Sequence, residues 1–178
     1  METALATLII VAVVLFGALT LAHTYLSVQD QILESWHAMV ERTDERSRTS
    51  LLPVGAEAVG AGDVVEITIR NDGNVKLADF TRWDVIVEHS AAGAHRVAWY
   101  PYGGTTGPAD NQWTVMGIYR DALRGMPEAY EPGILNPGEE VVIQVRVSPP
   151  VMEGSTNVAT VSTPSGISAS AVFAWPEP

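Results

Sequence analysis

The chain has 178 residues, 21 acidic against 10 basic, a formal charge of −11 and no cysteine. Without cysteine there is no disulfide staple and no thiolate metal site, and without a basic stripe nucleic acid is not an expected partner. The length allows one domain of ordinary size plus one long extra element.

That element comes first. Ala4 to Ala22 reads ALATLIIVAVVLFGALTLA, nineteen residues with no charge and only Thr7 and Thr20 as polar side chains. Each threonine can return its hydroxyl to a carbonyl on the preceding turn. At the standard rise such a helix is roughly 28 Å long, close to the hydrocarbon thickness of a bilayer. It is apolar on every face, so Leu5, Leu8, Ile9, Val13, Phe16 and Leu19 all need non-aqueous neighbours.

Past Ala22 the pattern turns amphipathic with no breaker. Tyr25, Leu26, Ile32, Leu33, Trp36, Met39 and Val40 recur at three-, four- and seven-residue steps, opposite Gln29, Asp30, Glu34, Glu41 and Asp44. Gly17 is the only glycine before Gly55, and no proline precedes Pro53. One helix from about Glu2 to about Arg48 is therefore expected, on the order of 70 Å long. Residues 1–50 are thus a hydrophobic and amphipathic helix that needs a bilayer, or other copies of itself as a polymerisation helix, to bury it. No Lys or Arg occurs before Arg42, so the basic start of a secretory signal is missing. Removal of a basic leader just before Met1 is the expectation.

Leu51 to Gly62 (LLPVGAEAVGAG) mixes one proline with three glycines and reads as a linker, with Pro53 stopping the helix. From residue 63 the period changes to two. Val65, Ile67 and Ile69 alternate with Glu66, Thr68 and Arg70, and Asn71-Asp72-Gly73-Asn74 supplies a turn in which Gly73 is free to take positive φ. Further strands are expected at 83–88, 96–100, 113–119, 141–147, 157–163 and 167–173. Residues 101–111 read as a long loop, and 121–132 are open to a helical turn. Seven or eight short strands with turns between them predict an immunoglobulin-like antiparallel β-sandwich head over 63–178. The fold class is α+β: one long N-terminal α-helix followed by that sandwich.

In this order and pattern the chain resembles an archaellin, the archaeal flagellin, and more broadly the type IV pilin-like proteins. The resemblance is carried by the N-terminal apolar run, its amphipathic continuation, GDVVEITIRNDGNVKLADF, and NPGEEVVIQV followed by VATVSTPSGISASAVF. It implies a structural subunit of an extracellular motility filament, made by bundling N-terminal helices with the sandwich heads outside. The implied partners are other copies in a helical homopolymer, the membrane before assembly, and archaellum-type export and assembly machinery. It also implies leader removal by a membrane peptidase.

The resemblance leaves an alternative open: a single-pass membrane-anchored surface or archaellum accessory protein, or a type IV-like adhesion pilin. The apolar run fits either solvent, whereas the amphipathic continuation favours helix partners. Nothing reads as an enzyme and no cofactor is expected. Gly103-Gly104-Thr105-Thr106-Gly107 lacks the lysine and helix of a phosphate loop. Gly166-Ile167-Ser168-Ala169-Ser170 lacks the second glycine of a nucleophile elbow. His23, His37, His89 and His95 show no ligand spacing, so no metal is expected there. Asp72 and Asp79 read as turn formers before calcium ligands. Trp99, Tyr100 and Tyr102 read as sandwich packing before a sugar- or subunit-binding loop. No Asn-X-Ser/Thr sequon occurs.

Overall fold

A computed structural model describes residues 2–176 apart from Thr105 and Ala129. The chain divides into two compact units, Met1–Asp44 and Glu45–Pro178.

The first unit is helix. The helix α1 spans Glu2–Arg48 without interruption, as the absence of internal breakers predicts. Gly17 does not break it, because one interior glycine costs only about 1 kcal/mol relative to alanine. The hydroxyls of Thr7 and Thr20 donate to the carbonyls of Thr3 (2.8 Å) and Phe16 (2.6 Å), so neither presents an unpaired polar atom. Thr24, Ser35 and Thr43 do the same one turn back each. Arg46 and Arg48 stand in the last turn, where positive charge suits the exposed carbonyl end of the helix.

The second unit begins with that last turn. Thr49 is buried, and both its amide (3.0 Å) and its hydroxyl (2.8 Å) donate to the carbonyl of Glu45, closing the helix. Nine strands then follow among the described residues: β1 (Leu51–Val59), β2 (Val64–Asn71), β3 (Asp84–Ala91), β4 (Ala94–Tyr100), β5 (Gln112–Asp121), β6 (Met126–Pro127), β7 (Glu140–Arg146), β8 (Thr156–Ser162) and β9 (Ser168–Ala174). They form two antiparallel sheets, ordered β1-β2-β7-β5-β6 and β4-β3-β8-β9. The alternation read in the sequence fixes which side of each strand is buried. Val65, Ile67 and Ile69 of β2 and Val141, Ile143 and Val145 of β7 face inward from one sheet, and Val85 and Val87 of β3, Ala159 and Val161 of β8 and Phe173 of β9 from the other. Each large one contributes on the order of 1.5–3 kcal/mol by leaving water.

Two expectations are corrected and one open reading is settled. The stretch 51–62 is not a linker: its first nine residues are β1, paired along its length with β2. Proline is compatible with a strand that has a neighbour on one side only, and β1 is a sheet edge. The register shifts between Pro53 and Gly55, so the glycine sits at an irregularity and not in a flexible joint. The compact units accordingly divide at 44/45 instead of at 50. Second, residues 121–132, which the sequence left open to a helical turn, hold among the described residues the end of β5, a hydrogen-bonded turn over 122–125 and the two-residue strand β6. Third, Gly73 does not take positive φ. A Cβ there would lie 2.5 Å from the Arg48 carbonyl oxygen and 2.6 Å from the Ser50 nitrogen, so glycine is required by the close approach of the helix exit.

Candidate membrane and interaction surfaces

The residues singled out on α1 are all exposed. Leu5, Leu8, Ile9, Val13, Phe16 and Leu19 expose between 54% and 71% of their surface, and Tyr25, Leu26, Ile32, Leu33, Trp36, Met39 and Val40 between 51% and 66%. By length and composition α1 can cross a membrane. Its first half is apolar around the whole circumference, and its second half is apolar on one side, with Asp30, Glu34 and Glu41 on the other. A surface of this extent is stable only against a non-aqueous neighbour.

The helix exit is built by buried polar groups in the second unit. Asn71, fully buried at the end of β2, donates through Nδ2 to the carbonyls of Val75 (2.8 Å) and Leu135 (3.0 Å), and its Oδ1 accepts from the Gly73 amide (3.1 Å). That turn in turn holds the first residues after the helix. The Asp72 amide donates to Ser50 O (2.9 Å) and the Asn74 amide to Arg48 O (2.8 Å). Beside it, Glu140 is buried with Arg70 at 2.5 Å and the Ala122 amide at 2.7 Å, a paired charge and not a free carboxylate. Sequence alternation began this strand at Val141 and gave no sign that Glu140 joins it or is buried.

The outer face of the four-stranded sheet carries an apolar group that the sequence reading only half resolved. Register places Trp99, Ile86, Thr160 and Ser170 in one row across β4, β3, β8 and β9, and Val97, Glu88, Val158 and Val172 in the next. Trp99, Val97 and Val172 are well exposed, and the Trp99 indole donates to Asp84 Oδ1 at 2.8 Å. The one available signal was Ile86, an apolar residue in the outward set of β3. The neighbouring aromatics go inward. Tyr100 is buried, its phenol pushed above its ordinary pKa by that burial, and Tyr102 stacks edge-on against the buried Trp113 at 4.9 Å.

The remaining candidates gather no chemistry. Gly103 packs against Gln112, and the Gly104 carbonyl accepts from the Thr114 hydroxyl, so that end of the glycine loop lies along β5; Thr105 is outside the described residues. Asp79 accepts from the Thr81 hydroxyl at 2.6 Å in a left-handed turn. His95 pairs with Glu88 at 3.1 Å across β3 and β4. Among the described residues no three His, Asp or Glu side chains converge. His89 is buried, and its Nε2 lies 3.2 Å from the Pro149 carbonyl. Since that oxygen only accepts, Nε2 is the donor in this bond. Burial, followed by the charge of Arg96 and His95, holds its pKa below the usual histidine value against the opposing carbonyl bond.

One long apolar helix joined to a two-sheet antiparallel head defines a helix-plus-sandwich protein. No protein-family model and no curated protein matches the chain. Among solved structures it is similar to the archaellum periplasmic stator protein FlaG from Sulfolobus acidocaldarius, with 20% identity, covering 70% of this chain and 99% of that one at a TM-score of 0.51. A complex of FlaF and FlaG from the same organism matches at 19% identity, covering 69% of this chain and 87% of the other, with a TM-score of 0.48. The likeness to FlaG is one of fold.

Proposed function

We propose that this chain is a non-catalytic, membrane-anchored accessory protein of an archaellum-type motility machine. In this reading α1 crosses the membrane through its first half, and the sandwich works outside the membrane as a static contact for other archaellum proteins. The observation that carries the reading is the head: its fold is shared with a periplasmic stator protein that is matched over 99% of its length. The apolar span supports an anchor for such a head. Of the two readings made from the sequence, the accessory protein is therefore preferred to the filament subunit, and a homopolymer with heads outside is set aside. Cells of the source organism lacking this chain are expected to lose swimming, and the full chain to restore it. Restoration by residues 45–178 alone would remove the anchor, and unaltered swimming without the chain would remove the reading.

A further inference from the structure

We infer that α1 pairs with α1 of a second copy of this chain in a parallel, in-register two-stranded coiled coil. The inference rests on the membrane-anchored reading, because a shared bilayer holds all copies in one orientation.

The first observation is where the leucines fall. Take Leu5 as position a of a seven-residue repeat. Leu19, Leu26 and Leu33 are then also a positions, and Leu8 and Leu15 are d positions. Six of the seven leucines of α1 lie on this seam, and only Leu21 lies off it, although a and d make up two positions in seven. Ile9, Ile10, Val11, Val13 and Val14 are all off the seam. Contact with lipid imposes no such sorting, since hydrocarbon is equally apolar on every face; packing against another helix does. Ala12 and Ala22 complete the seam within the span with small side chains that let two backbones approach.

The second observation is that the seam continues where lipid no longer covers it. Leu26, Leu33 and Val40 hold the next a positions and Gln29 and Trp36 the next d positions, each of the apolar ones exposed by 58% or more; Gln29 thus falls within the apolar strip and Asp44 at its edge, not opposite it as the polar pattern suggested. In water that strip needs a partner, and a second copy in the same membrane presents the same strip at the same height.

Charge selects the parallel arrangement. Asp30, His37 and Asp44 flank the seam on one side, and Tyr25, Ile32 and Met39 on the other. Antiparallel helices would set the acidic flank against itself, whereas parallel helices set it against the uncharged flank of the partner. Glu34 and Glu41 lie off the seam in both cases. Gln29 fixes register: in a parallel pair its amide meets its own copy, each donating to the other, and a slip of one repeat would place it against Trp36 or Ala22. Such a pair closes after two chains, unlike an open filament.

Because the chain has no cysteine, the seam can be read by single-cysteine crosslinking of the full chain in membranes. A disulfide needs Cα atoms within about 7 Å, so oxidation should dimerise Leu33→Cys and Val40→Cys about ten times faster than their neighbours Glu34→Cys and Glu41→Cys. The unsubstituted chain, extracted in mild detergent, should have the mass of two copies by light scattering. Membrane-bound chain with equal rates at all four positions, or with a monomer or polymer mass, overturns the seam and leaves the anchor standing. Chain left in the supernatant after membranes are pelleted overturns the anchor and the seam together.

Discussion

Gly73 lies so close to the carbonyl of Arg48 that a single added methyl would sit 2.5 Å from that oxygen. The contact ties the turn after β2 to the last turn of α1, and the neighbouring amides of Asp72 and Asn74 lock it. Neither backbone is free to shift, because Asn71 anchors the turn to Val75 and Leu135.

Gly73→Ala should therefore destabilise the head by about 1–3 kcal/mol, the usual cost of overpacking a closed site. Gly55→Ala adds its methyl to open space and should be close to neutral. Urea unfolding of the full chain in detergent, followed by near-ultraviolet circular dichroism, separates the two. Equal midpoints would show that the turn yields.

Asn71→Leu keeps the bulk but removes three hydrogen bonds of a fully buried side chain, one of them wholly buried and two part-buried. Each buried partner left unpaired costs roughly 1–3 kcal/mol. The variant should lose several kcal/mol and melt well below Gly73→Ala in the same assay.

How far the fold could be read from residues alone depended on whether a feature is periodic. The helix was legible to within a turn because the sequence between Glu2 and Arg48 holds no proline and a single glycine, Gly17, which does not break it. The inward rows of β2 and β7 were legible from strict alternation. The strand β1 was hidden by Pro53 and Gly55, residues that mark linkers unless an edge strand finds a use for them. The role of Gly73 was misjudged because sequence suggests backbone conformation at a glycine but not what approaches it. Trp99 and Tyr100 are adjacent and point to opposite sides, so the packing read for all three aromatics holds for Tyr100 and Tyr102 and not for Trp99. Burial of Glu140 and His89 depends on contacts distant in sequence and left no local trace.

Protonation of His89 opposes folding. Its folded pKa lies below the unfolded value of about 6.5, so the neutral ring contributes stability that is whole above that pH and is lost as pH falls through the folded value. His89→Gln retains a side-chain donor for the Pro149 carbonyl without a titrating ring. Urea midpoints of the parent should drop between neutral and mildly acidic pH, and those of His89→Gln should drop less. Parallel curves would show that other groups set the acid sensitivity.

Phe16→Asp places a carboxylate near the middle of the apolar span. Insertion of such a group costs roughly 2.5–3.5 kcal/mol, so the variant should shift from the alkali-resistant membrane pellet toward the soluble fraction. Leu123→Asp, on a fully exposed head turn, should leave the partition unchanged. Full membrane retention of Phe16→Asp would show that the span is held by something other than lipid.

The most direct measurement of the central claim is the partition of the native chain between sheared surface filaments and washed membranes, by quantitative immunoblot. The account predicts that nearly all of it remains with the membranes after alkaline extraction, with none enriched in the filaments. Recovery of the chain as the bulk protein of the sheared filaments would contradict the anchored accessory role and restore the filament subunit in its place.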